Sequence, residues 1–401
     1  MSNAGIESRI SNFVHEQATQ DAPKLERSKQ PFWSGLGSQG TELWLDTGDM
    51  NAAAELWSGD FTALTTNNSL LNKEIQKGIY DDLVRRAQPL VDVLPEDEQV
   101  MEISFILNAV HGLRLVDYFG ARVSVELHTQ LAHDIDRSVN YGKRFAAICS
   151  DFVVKIPLTA SGLIATRHLR QSGIPINFTL GFGARQNAIA TLFAEPDYVN
   201  VFLGRLNAYA ESNRLSGADY LGERATWASQ EFLRQQNSPT RQIAASIRDA
   251  KQLERLAGVD VFTIPVKIAR DALATLDGRW TGSMAGGDNK FVANQVVAKA
   301  CSVSDLDVKF AHSLCESPPH TGEELVDRAH ENGVGDMFPR MTVNQLETIA
   351  ADGKIPVHKK WAECMAQGEL ALDSLLNLAG LASFSQDQQA LDDRVRSLLS
   401  P

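Results

Sequence analysis

Asp151-Phe-Val-Val-Lys155-Ile-Pro-Leu-Thr159-Ala-Ser-Gly162 reads as a short buried strand, Phe152 to Pro157, with one lysine set in an apolar run. Side chains alternate along a strand, so Val153, Lys155 and Pro157 share one face while Val154 and Ile156 share the other. Lysine is rarely buried without a partner or a task. Desolvation disfavours the ammonium form and frees the amine as a nucleophile for a ketone carbonyl. For this strand taken alone, the alternative is a lysine snorkelling from a strand end or ion-paired at a rim.

Outward from that strand the same unit recurs. Between Glu42 and Ile264, β-rich stretches near 42–47, 62–66, 122–127, 152–157, 176–180, 199–203, 241–246 and 261–264 alternate with segments of helical period. Helices are expected over 70–86, 186–193 and 247–257, the last stopped by Gly258. Eight such units predict an α/β protein, a (β/α)8 TIM barrel with additional N- and C-terminal helices. A doubly wound open sheet is the alternative, but no GxGxxG fingerprint follows the first strand. Polar residues keep a strict parity within several strands: Trp44 and Asp46, Ser124 and Glu126, Asn177 and Thr179, Ala244 and Ser246 with Arg248 continuing. A barrel's outward face meets helices and must be apolar, so this parity points polar groups inward and towards the C-terminal mouth.

The flanks differ in character. Residues 1–40 read as an amphipathic helix (Ile6, Ile10, Phe13, Val14) and a Gly/Ser-rich connection, a helical cover on the barrel. The barrel core is expected over 41–275 and a helical extension packed on it over 276–401, with a loop at 276–289 and helices at 291–300, 304–313, 343–351 and 362–381. The whole is read as a single domain.

The 401 residues carry a net charge of −12, which argues against general nucleic-acid binding and anionic membrane surfaces but leaves room for a small anion in a locally basic pocket. Cys149, Cys301, Cys315 and Cys364 form no CxxC pair, as expected of reduced thiols. With no signal-peptide core and no run of about 18 apolar residues, a cytoplasmic location is expected.

Asp46 and Glu126 are the carboxylates suited to the proton transfers of carbon–carbon cleavage through an imine; ion pairing with Lys155 is their alternative role. Asn67, Asn177 and Thr179 suit sugar hydroxyls, or else cap strand ends. Arg205 and Arg248 follow the sixth and seventh strands, where barrels often hold phosphate, although a surface salt bridge is the commoner fate of an arginine. His128, His133 and Asp134 lack the spacing of a metal site.

Together these residues resemble the transaldolase family over most of 42–265. Leu45-Asp46-Thr47, Thr65-Thr66-Asn67-Asn68-Ser69, Val123-Ser-Val-Glu126, Lys155-Ile-Pro-Leu-Thr159 with Gly162, Asn177-Phe-Thr179-Leu180 with Gln186, Phe202-Leu-Gly204-Arg205, Ala245-Ser246-Ile-Arg248, and Ala257-Gly258-Val-Asp260 with Thr263-Ile-Pro265 are similar to its motifs and stand in its order. The resemblance implies a class I mechanism with no cofactor and no metal. Lys155 would form a Schiff base with a ketose, Glu126 would activate a water, and Asp46 and Thr159 would assist. Asn67 and Asn177 would steady the enamine, Thr65, Thr179 and Phe202 would line the substrate, and Arg205, Ser246 and Arg248 would hold its phosphate. A dihydroxyacetone unit would pass from sedoheptulose 7-phosphate or fructose 6-phosphate to glyceraldehyde 3-phosphate or erythrose 4-phosphate, in the non-oxidative pentose phosphate pathway. The implied partners are small-molecule sugar phosphates, with no nucleic acid and no membrane, and a homodimer is one expected assembly.

The chain departs from the family's pattern in four places. Asn68 stands for proline, Ala160-Ser161 for Trp-Glu, Gly183 for serine, and Asn200-Val201 for Ser-Pro. The rival readings are a fructose 6-phosphate aldolase-like enzyme that releases free dihydroxyacetone, and a non-catalytic sugar-phosphate-binding barrel.

Overall fold

The computed structural model describes residues 3–19, 24–282 and 295–399. Its centre is a closed barrel of eight parallel strands in sequence order, β1 (Glu42–Asp46), β2 (Phe61–Thr65), β3 (Arg122–Glu126), β4 (Phe152–Pro157), β5 (Ile176–Thr179), β6 (Tyr198–Phe202), β7 (Arg241–Ala245) and β8 (Val261–Pro265). β8 pairs back onto β1, so no edge is left unpaired. Helices surround the strands, as the alternating rhythm requires. β4 is buried at every position because its outward side meets helices and its inward side fills the barrel.

Register sets the two ends of the barrel. At the N-terminal floor, the first residues of β1, β3 and β7 meet as Glu42, Arg122 and Arg241, a layer drawn from alternate strands. Burial acts to raise the Glu42 pKa, but hydrogen bonds from Thr62 and Trp44 and the two arginine charges outweigh it and hold the carboxyl below its usual range. At the opposite end, Asp46 lies beside Thr65, and Glu126, Lys155 and Asn177 lie level on β3, β4 and β5.

Several helices differ from their sequence expectation for visible reasons. The segment expected over 70–86 divides into Asn68–Gln76 and Asp81–Val91, with Gly78 at φ +77° in the turn between them. The segment expected over 247–257 is helical only at Lys251–Arg255. Gln252 Oε1 accepts from the backbone N–H groups of Arg248 and Asp249, fixing a turn there instead. A second short helix, Pro31–Gly37, interrupts the expected N-terminal connection. The candidate over 362–381 is broken at Gly368, giving Ala362–Ala366 and a 28-residue helix, Leu372–Leu399. The expected loop residues 283–289 and helix residues 291–294 lie outside the described residues; helix Gln295–Ala300 follows them.

The long C-terminal helix packs against helices Asn68–Gln76 and Glu96–Phe119 on the mouth side of the barrel. Its first turn is held by a buried ion network. Arg185, on helix Ala184–Ala194, reaches Asp373 at 3.1 Å and Asp336 at 3.0 Å, and Lys299 reaches Asp336 at 2.8 Å. All four cysteines are free. Among the described residues, no helix is long and apolar enough to cross a membrane.

Candidate active site

A cavity of about 160 Å³ opens at the C-terminal mouth of the barrel. Of the residues expected at a site, Asp46, Thr65, Asn67, Lys155, Phe202, Arg205 and Ser246 line it. Lys155 is 4% exposed and Glu126 is 2% exposed. The Lys155 Nζ donates to the Thr66 carbonyl at 3.2 Å and stands 3.7 Å from Glu126 Oε2. Burial raises the Glu126 pKa, opposed by the Lys155 charge, the Asn68 backbone N–H and Arg205. Burial likewise raises the Asp46 pKa against the pull of Lys155. Two carboxyls are therefore biased towards holding a proton on either side of one amine. A carboxyl shifted in this direction holds its proton more readily than an exposed one and so suits proton transfer.

Local structure fixes each group. Thr65 Oγ1 donates to Asp46 Oδ1 at 2.9 Å and is itself bonded to Thr263 Oγ1 at 2.6 Å, a hydroxyl chain that orients the carboxyl. Asn67 caps helix Asn68–Gln76 through its Oδ1, which accepts from the Leu70 N–H at 2.9 Å and leaves the amide nitrogen for the cavity. Asn177 donates to Ser124 Oγ at 2.9 Å and accepts from Asn200 Nδ2 at 2.5 Å. Thr179 is fully buried, and its hydroxyl has no hydrogen-bond partner among the described residues. Ser246 sits at φ +60°, a conformation that costs a non-glycine residue about 1–2 kcal/mol and persists only where surroundings enforce it.

Arg205 is 6% exposed, and among the described residues no carboxylate pairs with it. Its guanidinium carbon lies 5.5 Å from the ring centroids of both Phe202 and Phe384, and its Nη1 is buried without a hydrogen bond. Burial, then the charge of Arg248, pushes its pKa down to about 10. A desolvated guanidinium beside a second one is a site that an anion would relieve.

Glu126, Asn177 and Thr179 are not among the residues that line the Lys155 cavity, and Thr159 and Arg248 line other cavities. Thr159 is the N-cap of helix Ala160–Gln171: its hydroxyl accepts from the Gly162 N–H at 2.8 Å and donates to the Ala132 carbonyl at 2.5 Å. It lines a separate cavity with Met337 and Leu381, and its hydroxyl proton is engaged by the Ala132 carbonyl. Arg248 lays its aliphatic stem against Gly204 and lines a neighbouring cavity of about 520 Å³, beside Arg205 but outside the Lys155 cavity. The weaker histidine signals are structural. His128 pairs with Asp392 at 3.1 Å, and Asp134 caps helix Ile135–Ile148. Among the described residues, no three His, Cys, Asp or Glu side chains gather as a metal would require.

The departures from the family's pattern have local causes. Proline has no N–H; at Asn68 the backbone N–H points to Glu126 Oε2 at 3.4 Å. A Cβ on Gly183 would stand 2.4 Å from Asp373 Oδ2, so a serine there would displace the carboxylate that pairs with Arg185. Ser161 packs on Gly322, where the extension occupies the space next to the helix start. Asn200, in place of serine, bonds both Asn177 and the Phe178 carbonyl. Sequence reasoning missed Lys354 and Phe384, which also line the Lys155 cavity. They lie far along the chain from every site motif, and no local pattern marks them.

The sequence model of the transaldolase/fructose-6-phosphate aldolase family matches residues 43–307. The chain is 30% identical over 255 residues to a transaldolase of Xanthomonas euvesicatoria pv. vesicatoria, covering 58% of this chain and 74% of that protein. It is 30% identical over 236 residues to a probable transaldolase of Thermus thermophilus, covering 58% of this chain and 90% of that one. A Chlamydia caviae transaldolase is also 30% identical, over 241 residues, covering 56% and 72% of the two chains.

Proposed function

This chain belongs to the transaldolase/fructose-6-phosphate aldolase family, and from that premise we propose that it is a transaldolase, moving a dihydroxyacetone unit between sugar phosphates through a Schiff base on Lys155. The observation that carries the reading is the buried amine of Lys155 at the cavity wall, with the Glu126 carboxylate 3.7 Å behind it.

The neutral amine attacks the ketose carbonyl and forms a carbinolamine. Glu126, acting through a water, delivers the proton with which the hydroxyl leaves as water, giving the imine. Asp46, steadied by Thr65, takes the proton from the hydroxyl beta to the imine. The adjacent carbon–carbon bond breaks, its electron pair enters the enamine, and an aldose phosphate departs. Asn67 and Asn177 surround the enamine. Thr159 assists as the family's motif implies, and Thr179, whose buried hydroxyl has no hydrogen-bond partner among the described residues, suits a similar role. Arg205, Ser246 and Arg248 take the phosphate. An acceptor aldose phosphate then closes a new carbon–carbon bond, and water releases the ketose. The chemistry asks for no cofactor or metal. Fructose 6-phosphate or sedoheptulose 7-phosphate as donor, erythrose 4-phosphate or glyceraldehyde 3-phosphate as acceptor, and a cytoplasmic place in the pentose phosphate pathway complete the reading.

Borohydride added with fructose 6-phosphate is expected to fix a reduced dihydroxyacetone adduct on Lys155, seen by peptide mass spectrometry. Lys155→Ala is expected to lose both the adduct and all measurable turnover while keeping its circular dichroism spectrum. No adduct on the wild type would leave only a sugar-phosphate binder. Free dihydroxyacetone in place of transfer to erythrose 4-phosphate would make the protein an aldolase.

A further inference from the structure

The C-terminal helix Leu372–Leu399 lies beyond the 43–307 family match, yet one of its faces is turned onto the phosphate end of the cavity. Asn377, Gly380 and Phe384 recur at spacings of three and four and so share that face. Asn377 Nδ2 donates to the Leu180 carbonyl at 2.8 Å. At Gly380 the backbone comes so near that a Cβ would stand 2.9 Å from Leu180 Cδ2 and 3.2 Å from Arg205 Nη1. One turn later, the buried Phe384 ring lies 5.5 Å from the Arg205 guanidinium carbon and 6.5 Å from the Phe202 ring. The guanidinium therefore rests in the notch between two rings, one from β6 and one from the C-terminal helix. Aromatic faces attract a guanidinium without neutralising it. The rings fix its plane and leave its charge and its N–H donors for a ligand.

A second part of the extension reaches the same cavity. Lys354 follows Gly353, whose φ of +73° turns the chain after helix Val343–Asp352. It lines the wall with Arg205 and Ser246, and no ion pair or hydrogen bond engages its ammonium among the described residues. Nearby Lys360 is tied to Asp352. Among the described residues no carboxylate is ion-paired with Arg205 or Lys354, although the charges of Glu126 and Asp387 act on Arg205, and Arg248 adjoins Arg205.

We propose that the C-terminal extension builds the phosphate end of this site: Phe384 is a positioning residue that holds the Arg205 guanidinium, and Lys354 is a third phosphate-binding cation beside Arg205 and Arg248. The inference rests on the transaldolase reading, and its test separates the two.

Inorganic phosphate is the probe, with its Kd measured by calorimetry, and Arg205→Ala is the reference variant. Lys354 is exposed, so Lys354→Ala folds; it is expected to raise the phosphate Kd about fivefold, with recovery in Lys354→Arg. Phe384→Leu keeps an apolar side chain and removes the ring; it is expected to raise the phosphate Kd about tenfold. In turnover it should raise KM for glyceraldehyde 3-phosphate by a similar factor with kcat within about twofold. The ratio of kcat/KM for glyceraldehyde 3-phosphate over unphosphorylated glyceraldehyde should fall in both variants. If Arg205→Ala weakens phosphate binding but neither Lys354→Ala nor Phe384→Leu does, the inference fails and the transaldolase reading stands. If Phe384→Leu lowers kcat/KM equally for both acceptors, Phe384 only supports the fold and its positioning role is overturned. If Arg205→Ala itself leaves phosphate binding unchanged, the phosphate site and the inference built on it both fall.

Discussion

Asp46 sits where burial favours its neutral form, and the nearby Lys155 charge only partly offsets this. A carboxyl whose pKa is raised on folding stabilises the protein fully below the unfolded value and loses that contribution as pH rises through the folded value. Above it, the ionised group is a cost that the fold carries for chemistry. Asp46→Asn mimics the protonated state and keeps an acceptor for Thr65. It is therefore expected to raise Tm at pH 8 by roughly 1–3 °C while cutting turnover by about 10²–10⁴. Calorimetry and a coupled assay on the same preparation check both; a lower Tm would mean that the carboxylate earns its place by pairing. Glu126 shares the raised pKa, but it stands 3.7 Å from Lys155, and removing it takes away that buried partner.

Helix Glu96–Phe119 buries His111 against Tyr80 and Gly48. Its Nδ1 is bonded to the Tyr80 hydroxyl at 2.8 Å. Burial, then the charge of Arg114, lowers its pKa from 6.5 to about 4. As pH falls below 6.5 the unfolded chain takes up a proton that the folded chain refuses until about pH 4. Stability drops across that window by about 3 kcal/mol. His111→Gln is expected to unfold less steeply than wild type between pH 6.5 and 4.5 in denaturant titrations. Equal pH dependence in the two proteins would place the acid sensitivity elsewhere. At the same scale, Thr159 illustrates how an element draws on a side chain. The hydroxyl that the motif offers for catalysis also satisfies the N–H of Gly162 at the start of a buried helix.

Across the whole molecule, the extension is joined to the barrel by charge as well as by apolar packing. Arg185 is 5% exposed and faces two carboxylates, Asp373 and Asp336, each itself buried. Removing Arg185 strands the buried Asp373 and leaves Asp336 with Lys299 alone. Arg185→Ala is expected to cost about 3–5 kcal/mol and to open the region 336–399 to limited proteolysis before the barrel core. Because Phe384 and Lys354 reach the cavity from that region, phosphate affinity should weaken in the same variant. Cleavage that begins in the barrel strands would show that the network does not govern the docking of the extension.

The number, order and near-terminal bounds of the eight strands follow from the sequence, because each strand is set by a local alternation and a short polar break. Lys155, Glu126 and Asp46 stand out for the same reason: each is a charged residue placed by strand parity on an inward face. Tertiary structure alone decides that Thr159 is a cap, that Arg248 lines the neighbouring cavity, and that Gly183 makes room for Asp373. It alone brings Phe384 and Lys354 to a site whose other members end at Thr263. Periodicity reports which way a side chain faces within its own element. Which distant segment meets it depends on how whole helices pack across the barrel mouth, and no window of sequence contains that contact.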